Sequence, residues 1–463
     1  MRRLAILTAA LALVALPVAH VSAGGIPQNV DVSQRIGNEA EEAIAINPTN
    51  PDNIVVLTNI AEGRTGLFKA VSFDAGLTWT TAIIADSDNN PSDPLGDGCC
   101  DPSLAFDDYG NLFISYMYNT EASVPIALST DGGLTQHLIA TIAKPAKTTG
   151  TGERQGTFRF VDQETIVAGE GMAWIVFNGG GPMVAVGASV TGLGEVGAFQ
   201  AAEIIPGTNN CTYGDVAIGP QGQVMNVCTL TESGQGGGKL FVNVDPDGLG
   251  PAGFGSRVFV TATHVGGFDF IPPHPDRSVD AEPGLAWDRS GGTHDGRAYL
   301  VYTGEAKNES DNTDVMVRAS DDGGVTWSAA TRVNDDATTN SQFLPKIALD
   351  QTSGEVAVTW YDSRNDQGND GPGDTDGVPN TDAQVWASFN SDGVTFEPND
   401  RISAGTSNAH ASGNGVGYGD YAGLAFYGGI ARPAWSDNSN STGNNPDGAL
   451  GRLDIYTAAI ERQ

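Results

Sequence analysis

The chain has 463 residues, with 56 Asp and Glu against 23 Lys and Arg, for a formal net charge of -33 at pH 7. That surplus of negative charge argues against nucleic acid and anionic membranes as partners. Glycine is abundant, at 61 residues, and helical periodicity is nearly absent, so the chain reads as many short strands joined by turns.

The first element is an export signal. Arg2 and Arg3 precede an apolar run from Leu4 to Val18, and Val21-Ser22-Ala23 has the small-residue pattern of a cleavage site. The run is short for a membrane span, and no later segment has the length of apolar sequence that membrane insertion needs. The expectation is a signal peptide over 1–23 and one domain over 24–463, secreted to the periplasm or the extracellular space.

A long repeat follows. An acidic or polar start leads into an apolar strand, a turn and a second strand, beginning at Glu41, Asp101, Asp162, Tyr213, Asp280, Phe343 and Tyr418. A third strand succeeds each pair, for example LFKAVSF, VPIALST, MVAVGAS, KLFVNVD, VMVRAS and VWASFN. A turn and a fourth strand complete the unit. The seventh copy stops after LDIYTAAI, and Val30 to Gly37 resembles the fourth strands AATRVN and NDRIS found elsewhere. An N-terminal strand in the last sheet would close a ring and remove an exposed edge. The predicted fold is therefore all-β: a single seven-bladed β-propeller of four-stranded antiparallel blades.

The four cysteines are Cys99, Cys100, Cys211 and Cys228. An exported chain permits disulfides. Cys211 and Cys228 flank the turn Gly219-Pro220-Gln221-Gly222, which would set their strands side by side. Adjacent Cys99 and Cys100 can close only a small strained ring. Bridges and free buried thiols both remain open at this stage.

The third-to-fourth-strand turns repeat a shorter motif. It reads SFDAGLTW at Ser72–Trp79, STDGGLTQ at Ser129–Gln136, SDDGGVTW at Ser320–Trp327 and, one residue longer, SFNSDGVTF at Ser388–Phe396. The Asp can accept backbone N–H bonds, the Gly supplies positive φ, and the Trp folds back as an apolar plug. This pattern resembles the Asp-box, or BNR repeat, of sialidases and other β-propellers. Most sialidase domains have six blades, so a count of seven departs from that family.

The resemblance implies a site on the face opposite these turns, where the inner strands begin. Those strand starts carry Glu42, Asp101, Glu164, Asp215, Glu282, Lys346 and Asp420. Crowded carboxylates raise one another's pKa or bind a cation, and can supply a general acid beside an ionised partner. The bland alternative is that each locks a blade to its neighbour. Sialidases hold a carboxylate sugar with three arginines and use a Tyr–Glu pair and an Asp acid/base. On this chain the resemblance points to Arg159, Arg277 and Arg364 for the sugar, with Arg64 and Arg154 as further candidates. Tyr361 or Tyr302 would be the tyrosine, Glu164 or Glu282 its partner, and Asp101 and Asp420 further catalytic carboxylates. The Arg-Ile-Pro signature of that family is absent, and Arg35-Ile36-Gly37 falls in the closing strand. Trp287, Trp360 and Trp435 are expected to pack between blades.

The insertion from Asn365 to Asp382 carries Asp366, Asp370, Asp374, Asp376 and Asp382 among four glycines. Flexible carboxylate loops of this kind suit structural Ca2+, and Asp-x-Asp-Gly is a fragment of such sites. The twelve-residue EF-hand pattern is absent, and a solvated insertion is the alternative. No other cofactor is required. The leading expectation is a carbohydrate-directed, sialidase-like propeller acting as a glycoside hydrolase on extracellular glycans. Its rival is a non-catalytic propeller that binds a glycan, an extracellular protein or a cell surface.

Overall fold

The computed structural model describes residues 25–61, 65–118, 123–143, 161–232, 234–308, 310–392 and 395–462. The expected signal peptide, residues 1–23, lies outside them. Seven antiparallel sheets follow one another around a ring, and a separate two-stranded hairpin is inserted between the fourth and fifth. Their innermost strands are Asn38–Ile46, Gly98–Phe106, Asp162–Gly169, Cys211–Ile218, Gly284–Trp287, Gln342–Leu349 and Gly423–Tyr427. Among the described residues the one α-helix is the short Ala409–Ser412.

The middle strands explain the apolar runs of the sequence. Met172–Asn178 and Val356–Asp362 are buried at every position, because each sheet is covered on both faces by neighbouring sheets. The outermost strands lie at the rim and are largely open, as in Thr80–Ile84 and His137–Ala143. Buried apolar side chains accordingly form seven clusters, one in each gap between adjacent blades. Burial at about 25 cal/mol per Å2 of apolar surface drives this sheet-on-sheet packing. Trp360 and Trp435 belong to two of these layers and donate their indole N–H to Asp362 and Asp437.

The ring closes through the N-terminus. Asn29–Asp31 pairs antiparallel with Asp454–Ala458, in the register Asn29↔Ala458, Val30↔Thr457 and Asp31↔Tyr456. The Val32 N–H extends the ladder by donating to the Ile455 carbonyl at 2.7 Å. The closing strand is shorter than the expected Val30 to Gly37. Past Ser33 the chain turns away, and the Gly37 N–H donates instead to Asp447 Oδ2 at 2.9 Å. Rim strands have little surface to bury, so few residues suffice.

The Ser-x-Asp-x-Gly-x-Thr turns hold themselves together. Ser72 Oγ donates to Asp74 Oδ1 at 2.8 Å, and Asp74 Oδ1 accepts from the Thr78 N–H at 2.8 Å. The Gly76 N–H donates to Ser72 Oγ, and Gly76 has φ +81°. The turns of Asp131 and Asp322 repeat this geometry. Both cysteine pairs are bonded, Cys99–Cys100 and Cys211–Cys228, the latter with Cα atoms 5.7 Å apart across neighbouring strands.

Candidate functional site

Five of the seven inner strands enter the ring through a bulge. Glu41, Asp101, Gln163, Tyr213, Glu282 and Leu344 all have positive φ, between 40° and 62°. Three residues beyond each of them stands a buried aliphatic side chain: Ile44, Leu104, Ile166, Val216, Leu285 and Ile347. The ladders shift register there, between Ala40 and Ala43, Cys100 and Ser103, Asp162 and Thr165, Thr212 and Gly214, and Phe343 and Lys346. In the seventh blade Gly419 takes the left-handed conformation. A bulge re-aims a side chain away from the ladder, and a non-glycine residue in this region costs about 1 kcal/mol or more. Repeating it around the ring turns a set of side chains toward one end of the central channel.

Part of this set locks the blades together. Asp101 Oδ2 accepts from the Gln163 N–H at 3.0 Å, Gln163 Oε1 from the Tyr213 N–H at 2.8 Å, and Asp215 Oδ2 from the Leu285 N–H at 2.8 Å. Each bond joins one blade to the next. Glu41 Oε1 accepts from the Asp420 N–H at 3.3 Å across the seam between the first and last blades.

Beside these locks lies a cleft of about 480 Å3. Its carboxyl groups are Asp162, Glu232, Asp280, Glu282 and Asp420, and its guanidinium is that of Arg277. Arg277 comes from the inserted hairpin, whose strands are Asp269–Ile271 and His274–Val279. Its Nε donates to Asp420 Oδ1 at 2.7 Å, and its Nη2 donates to Asp420 Oδ2. Buried His274 pins the hairpin: Nε2 lies 2.9 Å from the Gly419 carbonyl, and the ring packs on Phe343 and Tyr418. Burial pushes His274 down to about 4, so it is neutral at physiological pH.

Burial and mutual repulsion drive the carboxyl groups upward. Asp162 is pushed to about 8, first by burial and then by the charge of Asp101, to which it is hydrogen-bonded. Burial also raises Asp101, opposed by the Tyr421 hydroxyl and the Gln163 N–H. Burial and the neighbouring Asp101 charge thus both favour the protonated form of Asp162. Asp280 is pushed to about 7 by burial, opposed by the Glu282 N–H that it accepts at 2.6 Å. Glu282, Glu164 and Glu41 are held well above the usual range, in each case first by burial. Glu164 is 4% exposed, lines the central channel, and has neither oxygen hydrogen-bonded among the described residues. At neutral pH the cleft thus holds protonated carboxyls beside the Arg277–Asp420 ion pair, and can donate a proton into a field of negative charge.

The structure gathers Glu282, Asp420 and Arg277 in the cleft, sets Asp101 against Asp162 at its wall, and places Glu164 in the adjoining channel. It places Tyr361 and Arg364 elsewhere. Tyr361 is buried in the layer between blades six and seven, stacked on Tyr418 at 4.3 Å, with its hydroxyl donating to the Ser436 carbonyl and accepting from the Ser436 N–H. Arg364 pairs with Asp362 and Asp335, donates to Asn399, and lies 4.1 Å from the Trp386 ring centroid. It is a staple across its own blade. Tyr302 is likewise a core residue. Arg64, Arg154 and Arg159 fall outside the described residues.

The sequence reading missed Glu232 of the cleft, and with it three carboxyls ahead of inner strands: Asp162 and Asp280 of the cleft, and Glu41 beside Asp101 and Asp420. The signal of these three is the doubled acid ahead of the strand, as in Glu41-Glu42, Asp162-Gln163-Glu164 and Asp280-Ala281-Glu282. The single ring of strand-start residues expected from the repeat is divided among successive positions along the strand. Glu42, one such residue, lines the channel and accepts from the Ser436 hydroxyl.

In the calcium candidate, Asp366, Asp374 and Asp382 bring carboxylate oxygens within 4.8 Å of one another, while Asp370 and Asp376 are not part of that group. The triad could hold an ion, but its oxygens already accept protein donors. Asp366 takes the Gly368, Thr381 and Asp382 N–H groups, Asp374 those of Asn369, Asp370, Asp376 and Gly377, and Asp382 the Thr375 N–H and hydroxyl.

No family model matches the chain, and no curated protein matches its sequence. Among solved structures it is similar to a Dyadobacter fermentans protein of unknown function, with 12% identity, a TM-score of 0.50, and coverage of 96% of this chain and 100% of that one. It is also similar to the endosialidase of phage phi92, with 10% identity, a TM-score of 0.49, and coverage of 94% and 69%. A lectin of Burkholderia pseudomallei aligns at 10% identity with a TM-score of 0.48, covering 79% of this chain and 84% of the lectin. At such identities the likeness is one of fold, and by fold this chain is a β-propeller, of seven blades.

Proposed function

We propose that the chain is a glycan-directed propeller that cleaves a glycosidic bond in the cleft beside Arg277. The carrying observation is the placing of Asp162 at the wall of an acidic cleft, where burial and the Asp101 charge raise its pKa. Acetal cleavage needs a proton for the leaving oxygen and negative charge facing the developing oxocarbenium ion. Asp162 supplies the proton. Asp420, held in place by Arg277, supplies the charge. The leader-like residues 1–23 support export, so that the substrate would be an extracellular glycan.

The test is a screen of fluorogenic glycosides with the wild-type chain, Asp162→Asn and Asp420→Asn. Each variant should lose about 100-fold or more in kcat/KM with its circular dichroism unchanged. Full activity in Asp162→Asn would sink the acid assignment. A second reading, a glycan-binding module without turnover, is favoured by the number of inner-strand carboxylates used to lock blades, notably Asp101 and Asp215. Binding without hydrolysis, unaltered by Asp162→Asn, would decide for it.

A further inference from the structure

We infer that the cleft recognises a sugar bearing a protonated amine, in preference to a neutral or anionic one. This rests on the glycan reading above and narrows it. The cleft presents five carboxyl groups and one guanidinium, and Arg277 already directs Nε and Nη2 at Asp420. Glu232, at the cleft, is paired with Lys239. Lys346, the other cation near Glu282, lines the central channel rather than the cleft. A sugar carboxylate entering here would further oppose ionisation of the raised carboxyls and, among the described residues, meets no uncommitted guanidinium.

The second observation is Glu282. It is 3% exposed, lines the cleft, and its Oε2 has no hydrogen-bond partner among the described residues. A buried carboxyl oxygen left open is costly unless something donates to it. An ammonium group offers three N–H donors, and its charge favours the ionised form of the carboxyls that burial holds protonated. Phe268, also lining the cleft, is 66% exposed. Its ring offers an apolar surface for the carbon face of a sugar and a π-face that attracts a cation. Acetylating the amine removes both the charge and two of the three donors, so the two forms of one sugar separate this idea from simple sugar binding.

The experiment is calorimetric titration of the full chain with three probes: a glucosamine tetrasaccharide, its fully N-acetylated counterpart, and sialyllactose. The free-amine probe should bind about tenfold or more tightly than the acetylated one, the scale of one hydrogen bond to a charged group. Glu282→Gln should erase that preference, and Phe268→Ala, at an exposed position, should weaken binding of the amine probe. If the acetylated probe binds as well, or sialyllactose binds best, the inference is overturned while the glycan reading stands. If none of the three binds, the glycan reading itself fails. The wild-type comparison alone is decisive should Glu282→Gln fail to fold.

Discussion

Asp280→Asn tests whether burial governs the cleft. Asp280 is held at about 7 in the folded chain, against the ordinary aspartate value of 3.8. One pKa unit corresponds to about 1.4 kcal/mol, so the gap of roughly three units amounts to about 4 kcal/mol. The sign follows from proton linkage. Between these pH values the folded state holds a proton that the unfolded state has released. The contribution of Asp280 is therefore fully present below about pH 4 and is lost as pH rises to about 7. Asparagine cannot ionise and keeps an oxygen able to accept the Glu282 N–H. Urea unfolding of the two proteins, measured at unit steps from pH 4 to pH 8, reads chiefly this group, since carboxyls that do not feel the Asp280 charge cancel in the difference, while Glu282, which does, stays protonated across the range. The stability of Asp280→Asn relative to wild type should climb by about 4 kcal/mol across that range and level off above pH 7. Parallel stability curves would refute the claim that desolvation controls this carboxyl.

Arg364→Ala should destabilise the chain by about 3 kcal/mol, because it leaves the fully buried side chain of Asp362 without its ion-pair partner. Sugar binding and turnover should be unchanged; the reverse outcome, a stable protein with lost binding, would return Arg364 to the site. Replacing Cys211 and Cys228 by Ser removes a crosslink of sequence separation 17. A loss of about 3 kcal/mol in urea unfolding is expected, and an unchanged midpoint would show that the bridge does not constrain the unfolded chain.

The blade count was legible in the sequence because each blade is a local unit. Its apolar strands are contiguous, its turns carry Asp, Gly and Thr at fixed spacing, and its neighbour repeats the pattern. The missing fourth strand of the last copy pointed to residues near Val30, and Asn29–Asp31 takes that place. The carboxylates were legible only as a class. A bulge adds one residue to a strand, and one residue decides which face a side chain occupies. Glu41 thus comes within the field of Asp101 and Asp420, while Glu42, which lines the channel, accepts from the Ser436 hydroxyl. Of the seven positive-φ positions at the strand entrances, only Gly419 announces itself by residue type.

The arginines show the same limit. Arg364 finds Asp362 two residues away, a pairing its sequence neighbourhood suggests. Arg277 finds Asp420 at a separation of 143 residues, across the inserted hairpin. Composition and repeat alone determined that seven apolar sheets would stack into a ring, since that pattern buries itself by local means. Which charges meet at the centre was decided by ring closure, because only the assembled ring brings the ends of seven distant strands within reach of one another's electric field.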